Sequence, residues 1–223
     1  MWDWSYAWSI VPELIKVVPI TLIATFGGFA VACLLGLPIA LARRARSRWI
    51  SWPVTWVAEF IRSTPLLIQL IVLFYALPNY GIVLSPMTAG ILGLGIHYST
   101  YLAEVYRGGI ESVPKGQWEA SRALNLTKAQ TWLRVVLPQS VPPTIPVMGN
   151  YLIVMFKETP TLSAITLVEL LTTAKAIGSH SFRYVEAITL VGVIFLLLSY
   201  PSGLLVRRLE LHLKRRERSV EAK

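Results

Sequence analysis

Val17–Ala42 contains no Asp, Glu, Lys or Arg. A helix needs about 20 apolar residues to cross roughly 30 Å of hydrocarbon, so a run of this length constrains the chain more than any other feature. Four more uncharged runs follow: Pro65–Leu84, Pro86–Ala103, Pro138–Phe156 and Ala187–Val206. The reading is an all-α membrane protein with five transmembrane helices, in one domain over residues 1–223. A sixth stretch, Thr161–Ile177, carries Glu169 and Lys175 and is too polar to be read as a span. Only 15% of the chain is charged and 54% is hydrophobic. Those proportions exclude a disordered chain and argue against an ordinary soluble enzyme.

The net charge of +9 could point to nucleic acid. Its distribution gives another explanation. Seventeen of the 21 Lys and Arg fall after the first, third and fifth runs. Basic loops stay in the cytoplasm, so the N-terminus is expected outside and the C-terminus inside. No nucleic-acid partner is needed; the partner is the lipid bilayer. Met1–Lys16 lacks the basic start of a secretory signal, and its Trp2, Trp4, Tyr6 and Trp8 suit a helix along the membrane boundary. Trp49, Trp52 and Trp56, close to four arginines, suit an interfacial elbow.

Ala24, Gly28, Ala32, Gly36 and Ala40 recur every four residues. They form a smooth ridge where another helix backbone can approach closely, in this chain or in another subunit. Cys33 is a small core residue, with no disulfide or zinc framework around it. His97, His180 and His212 are too scattered for a metal site, and His97 is expected to be a hydrogen-bonded core residue.

Residues of about 108–137 form a polar segment between the third and fourth runs. Pro114 suits a helix start. Asn125 tolerates left-handed geometry at a helix end. Thr127 with Gln130 three positions on has the form of a capping box. The spacing predicts two short helices projecting from the membrane, a docking element or else a solvated loop.

Glu119-Ala120-Ser121, Asn125 and Val135-Val136-Leu137-Pro138 resemble the EAA motif of ABC importer permeases, with Ser121, Asn125 and Val135 as the departures. The resemblance extends to Glu59–Gln69, Tyr101–Gln117 and Lys157-Glu158-Thr159, which look like elements of the polar amino-acid branch. Pro160 and Thr161 depart from that branch's pattern. The overall run is most similar to permease subunits of ectoine and hydroxyectoine importers.

The resemblance implies a type I importer permease in the bacterial cytoplasmic membrane, taking a small polar or zwitterionic solute. It implies three partners: a dimer of ABC ATPase subunits, a second permease subunit, the same or homologous, and an extracytoplasmic solute-binding protein. Glu119, Ala120, Ser121, Asn125, Leu137 and Pro138 would couple to the ATPase. ATP and Mg belong to that partner. This chain would bind no cofactor and catalyse no reaction, in keeping with its lack of a G-x-x-x-x-G-K-[ST] loop.

Polar residues flanking or inside spans face protein or water-filled cavities. Arg62, Ser63, Thr64, Gln69 and Glu104 are pathway candidates on this ground, with Glu104 expected to pair with Arg62 or Arg107. Gln69 stands out within an apolar helix. Lys157, Glu158 and Thr159 lie where a broken helix would expose a positive helix start and free carbonyls to solute. Glu186 is either an interior contact or an interfacial acid. An ion-coupled secondary transporter or channel subunit is the alternative. It explains the spans but not the EAA spacing.

Overall fold

The structure is a computed structural model; it describes residues 2–221, with side chains as far as residue 213. Among the described residues there are helices and turns and no strands. Helix α1, Trp4–Arg43, has 40 residues, or about 60 Å at 1.5 Å per residue. Asp3 caps it by accepting from the amides of Ser5 and Tyr6. The aromatic N-terminal segment is therefore not a separate boundary helix. It is the first part of α1, with Trp4 and Trp8 exposed on it. Pro12 and Pro19 do not divide the helix.

The small-residue ridge is buried along its whole length. Its partner lies in the same chain: α4, Pro86–Glu111. The approach is close. A Cβ on Gly28 would sit 2.8 Å from the Leu94 Cβ, and one on Gly95 2.4 Å from Val31 Cγ1. Around this seam the core gathers Leu70, Leu94, Leu102, Met155, Leu162 and Ile165.

Helix α2, Arg48–Ser63, ends because Pro65 pushes Thr64 into extended backbone, at φ −106° and ψ 139°. Helix α3, Leu66–Ile71, then widens into a π-helical turn, Val72–Ala76, and tightens into a 3-10 turn, Leu77–Tyr80. The two rods meet at 102°.

Beyond α4 lie α5, Lys115–Ala123, and α6, Lys128–Gln130. Helix α6 runs through a π-helical stretch, Thr131–Val136, into α7, Leu137–Glu158. A 3-10 run, Thr159–Ile165, follows α7, and Thr166 turns the chain at φ 63°. Helix α8, Leu170–Ser181, leaves at 53° to the preceding rod. Helix α9, Tyr184–Glu221, closes the chain.

By length and composition, α1 and the Tyr184–Leu213 part of α9 suffice to cross a membrane; the two bent pairs raise the number to at most four. The five spans read from the sequence depart from that count at two places. Pro65 leaves only a 15-residue rod, Leu66–Tyr80, where the second span was expected. In α4, buried His97, Ser99 and Thr100 dilute the apolar character of a helix that is otherwise long enough.

Candidate functional site

The polar hairpin between α4 and α7 is built largely as its sequence predicts. Helix α5 ends on Asn125 at φ 51°. The Leu126 amide donates to the Ser121 carbonyl and the Asn125 amide to that of Arg122, both at 3.0 Å. That pair of bonds is a Schellman closure, which satisfies the last carbonyls of a helix. Thr127 and Gln130 form the expected capping box. One detail differs: Pro114 precedes the first helical residue instead of occupying it.

Behind the hairpin, Trp118 and Trp132 meet edge to face at 5.6 Å between ring centroids. Both pack on buried Ile110, Val113 and Val136. Ser121 is buried, and its hydroxyl donates to the Gln117 carbonyl at 2.7 Å. Glu119 and Ala120 face outward, as do Leu137 and Pro138. The hairpin is thus fixed from behind and presents a carboxylate and small apolar groups in front.

Beside it lies an ion cluster centred on Glu104. Its Oε1 takes Arg43 at 2.6 Å and Arg62 at 3.0 Å; its Oε2 takes Arg107 at 2.7 Å. Glu59 contacts both Arg62 and Arg43, and Glu111 pairs with Arg107 at 2.7 Å. Both expected partners of Glu104 are present together. Arg43 was missed because it stands far away in sequence, at the end of α1. The cluster joins α1, α2 and α4 beside the 102° corner.

Gln69 has a specific task at that corner. Its Nε2 donates to the Ile61 carbonyl at 2.7 Å, to the Thr64 carbonyl at 3.2 Å and to Thr64 Oγ1 at 2.7 Å. These carbonyls lie at the end of α2, where intrahelical partners run out. Its Oε1 lies 3.1 Å from His97 Nδ1 on α4. Gln69 therefore staples the bend, and His97 is the hydrogen-bonded core residue expected of it. Ser63 is exposed and Thr64 is part of the staple.

Lys157, Glu158 and Thr159 were expected at a helix break; instead α7 tightens there into the 3-10 run and the bend comes later, at Thr166, so no free helix start is available beside them. The fully buried Glu169 caps α8, accepting from the amides of Leu171 at 2.9 Å and Thr172 at 2.8 Å. Thr159 is fully buried, its hydroxyl donating to the Phe156 carbonyl at 2.7 Å. Lys157 is exposed and lines a groove between α7 and α9 with Asn150 and Arg207.

Between the break and the ion cluster runs an aromatic column that the sequence reading overlooked. Tyr98 and Tyr101 lie 5.7 Å apart, and Tyr151 lies 5.8 Å from Tyr101. Tyr98 lies near Glu158, and Tyr151 near Arg62 and Glu104. The available signal was Tyr98 and Tyr101 one turn apart on a run read as a membrane span.

At the start of α1, Arg183 donates to Asp3 at 3.0 Å and to Glu186 at 2.8 Å, with its guanidinium 4.6 Å from the centre of the Tyr6 ring. Glu186 also accepts from the Asp3 amide at 3.2 Å, which makes it an interior contact. The Tyr6 amide first, then the Arg183 guanidinium, hold the Asp3 carboxyl below its usual range.

Long apolar helices, broken helices with buried charge and a rigid polar hairpin on one side together define a membrane transport subunit. The chain belongs to the family of binding-protein-dependent transport system inner membrane components, which it matches over residues 28–216. It is a permease subunit of an ABC importer. A probable amino-acid ABC transporter permease of Sinorhizobium fredii is 46% identical over 212 residues, 95% of this chain and 92% of that protein. The glutamine transport system permease of Escherichia coli is 33% identical, covering 95% of this chain and 98% of its own. The crystal structure of an amino acid ABC transporter with histidines superposes with a TM-score of 0.89 at 32% identity, covering 95% of this chain and 99% of that one.

Proposed function

We propose that this chain forms the translocation pathway for an amino acid or a related zwitterion, and transmits to it the ATP-driven motion of a separate ATPase dimer. Five membrane crossings, an outer N-terminus and a cytoplasmic C-terminus complete the reading. A second permease subunit lies beside it and a binding protein delivers the solute from outside. The observation that carries the proposal is the hairpin: Glu119 and Ala120 are exposed on a helix whose other face is fixed by Ser121 and the Trp118–Trp132 pair. An element that must pass on a push needs that rigidity.

The relatives named for amino-acid and glutamine transport support the solute class. A zwitterion needs partners of both signs. Glu158 and the Arg62–Glu104 cluster supply them, at opposite ends of the tyrosine column. Ectoine and hydroxyectoine are the narrower solutes proposed within this class.

ATP-dependent uptake of labelled ectoine by the assembled transporter, competed with unlabelled amino acids, tests the solute. Competition by hydroxyectoine alone supports the narrower proposal; competition by glutamine or glutamate discards ectoine and keeps the amino-acid class. Glu119→Lys tests coupling. It should abolish uptake and weaken ATPase retention about thirtyfold or more, the scale of an interface hot spot, without changing the fold. Full uptake by that variant removes the docking role.

A further inference from the structure

The turn between α1 and α2 carries Arg43, Arg44, Arg46 and Arg48, and no acid occurs from there to Glu59. Arg43 and Arg44 are engaged, with Glu104 and Glu111. Arg46 and Arg48 are exposed and make no ion pair among the described residues. Directly after them α2 exposes three indoles: Trp49 at 92%, Trp52 at 66% and Trp56 at 62%. Trp52 and Trp56 pack edge to face at 5.8 Å. An open recess of about 730 Å3 lies here, lined by Arg43, Arg48, Trp49, Trp52 and Thr55.

These features select one class of occupant. Indoles rest at the headgroup level of a bilayer, apolar body inward and N–H outward. Basic clusters beside a membrane helix draw anionic lipids. A protein partner would have to cover three exposed tryptophans next to two guanidiniums that make no ion pair among the described residues. A lipid satisfies both at once, with its phosphate on the arginines and its glycerol and acyl chains along the indoles. Exposed Leu34, Leu37 and Leu41 on the last turns of α1 supply further apolar surface.

We propose that the recess at the α1–α2 turn binds the headgroup of an anionic phospholipid through Arg48, which lines it, assisted by Arg46 two residues earlier in the same turn. The proposal rests on the membrane placement of the chain, not on the identity of its solute. Arg43 lines the recess and also holds Glu104 at 2.6 Å. A bound phosphate therefore stands next to the cluster that pins α1, α2 and α4 together.

The test uses the assembled transporter, permease with ATPase, in nanodiscs of phosphatidylcholine containing a minority of phosphatidylglycerol. Native mass spectrometry counts the phosphatidylglycerol that stays bound. Arg46→Gln with Arg48→Gln should lower retention about fivefold for each arginine removed. Arg207→Gln with Arg208→Gln removes the same charge from α9 and should leave retention unchanged. Arg46→Lys with Arg48→Lys should restore most of it. Equal loss in both glutamine variants would mean attraction by the general field and would overturn the site. So would unchanged retention in the first variant, or loss of the ATPase from it with lipid retained, which would make the turn a protein contact.

Discussion

Replacing Glu104 by Gln removes the negative charge shared by three arginines, and one of its two acceptor oxygens, while keeping the shape of the side chain. Each charge-assisted bond is worth about 1.5–3 kcal/mol when formed away from water. Three such bonds would set an upper bound well above what the site can deliver. Glu104 is 24% exposed at its side chain and Arg107 41%, so water screens part of the interaction. Arg43, at 13%, is screened less. None of the arginines is stranded either: Glu59 remains near Arg43 and Arg62, and Glu111 near Arg107. The cost should therefore fall short of the roughly 3–5 kcal/mol that follows when one partner of a fully buried pair is removed. We expect about 2–3 kcal/mol. Unfolding of the full chain in a bilayer mimic, followed by tryptophan fluorescence, measures it. Double-mutant cycles divide it: coupling of Glu104 to Arg43 should exceed coupling to Arg107 and depend less on salt. A total loss below about 0.5 kcal/mol, the scale of an exposed pair, would refute the view that this cluster holds three helices together. Equal salt dependence of the two couplings would refute the burial argument behind it.

Three further predictions concern the frame around the site. Asn125 stands at φ 51°, so Asn125→Gly should leave α5 as protected from amide exchange as before, whereas Asn125→Val should cost about 1–2 kcal/mol and loosen that helix. Gly95→Ala places a methyl 2.4 Å from Val31 Cγ1 and should destabilise the chain by about 1–3 kcal/mol. Gly108→Ala in the same helix meets nothing within 4 Å and should gain about 0.5–1 kcal/mol; reversed signs in thermal melts would remove the close-seam description. Asp3 is held below its usual range by the Tyr6 amide and Arg183, so its contribution is fully present above the unfolded value of about 3.9 and is lost as pH falls through the lower folded value. Protease protection of the N-terminal turn should drop over that acidic interval in the native chain and show no such step in Asp3→Asn.

Features encoded locally were legible in the sequence. The Ala24–Ala40 ridge, the Asn125 turn and the Thr127–Gln130 box each lie within a few turns, and each formed as read. Features that depend on where the chain bends, or on a distant partner, were not. Gln69 looked like a lone polar group in an apolar helix, because Pro65–Leu84 was read as one span and Pro65 was not taken as the bend that frees carbonyls for it. The helix start after Thr159 looked open to solute, because the reading did not place Glu169 at the start of α8. Arg43 reached Glu104 across 61 positions. Pattern gives which residues must be buried or satisfied; only the packed chain decides by which partner.

The α1–α4 seam has a mechanical consequence. Where side chains separate two helices, they slide by rotamer changes and the contact yields by degrees. Here the glycine backbones at Gly28, Gly36 and Gly95 meet Leu94 and Leu102 Cβ atoms, the branched Val31 and the Ser99 carbonyl, and little side chain lies between to absorb a displacement. Dispersion falls steeply with a gap of even 1 Å, so the seam resists creep and behaves as a single stiff beam. Bending is left to the stretches where the helical pitch is already irregular, Val72–Tyr80 on one flank and Thr159–Thr166 on the other. The beam stays the fixed reference against which those two flanks can turn.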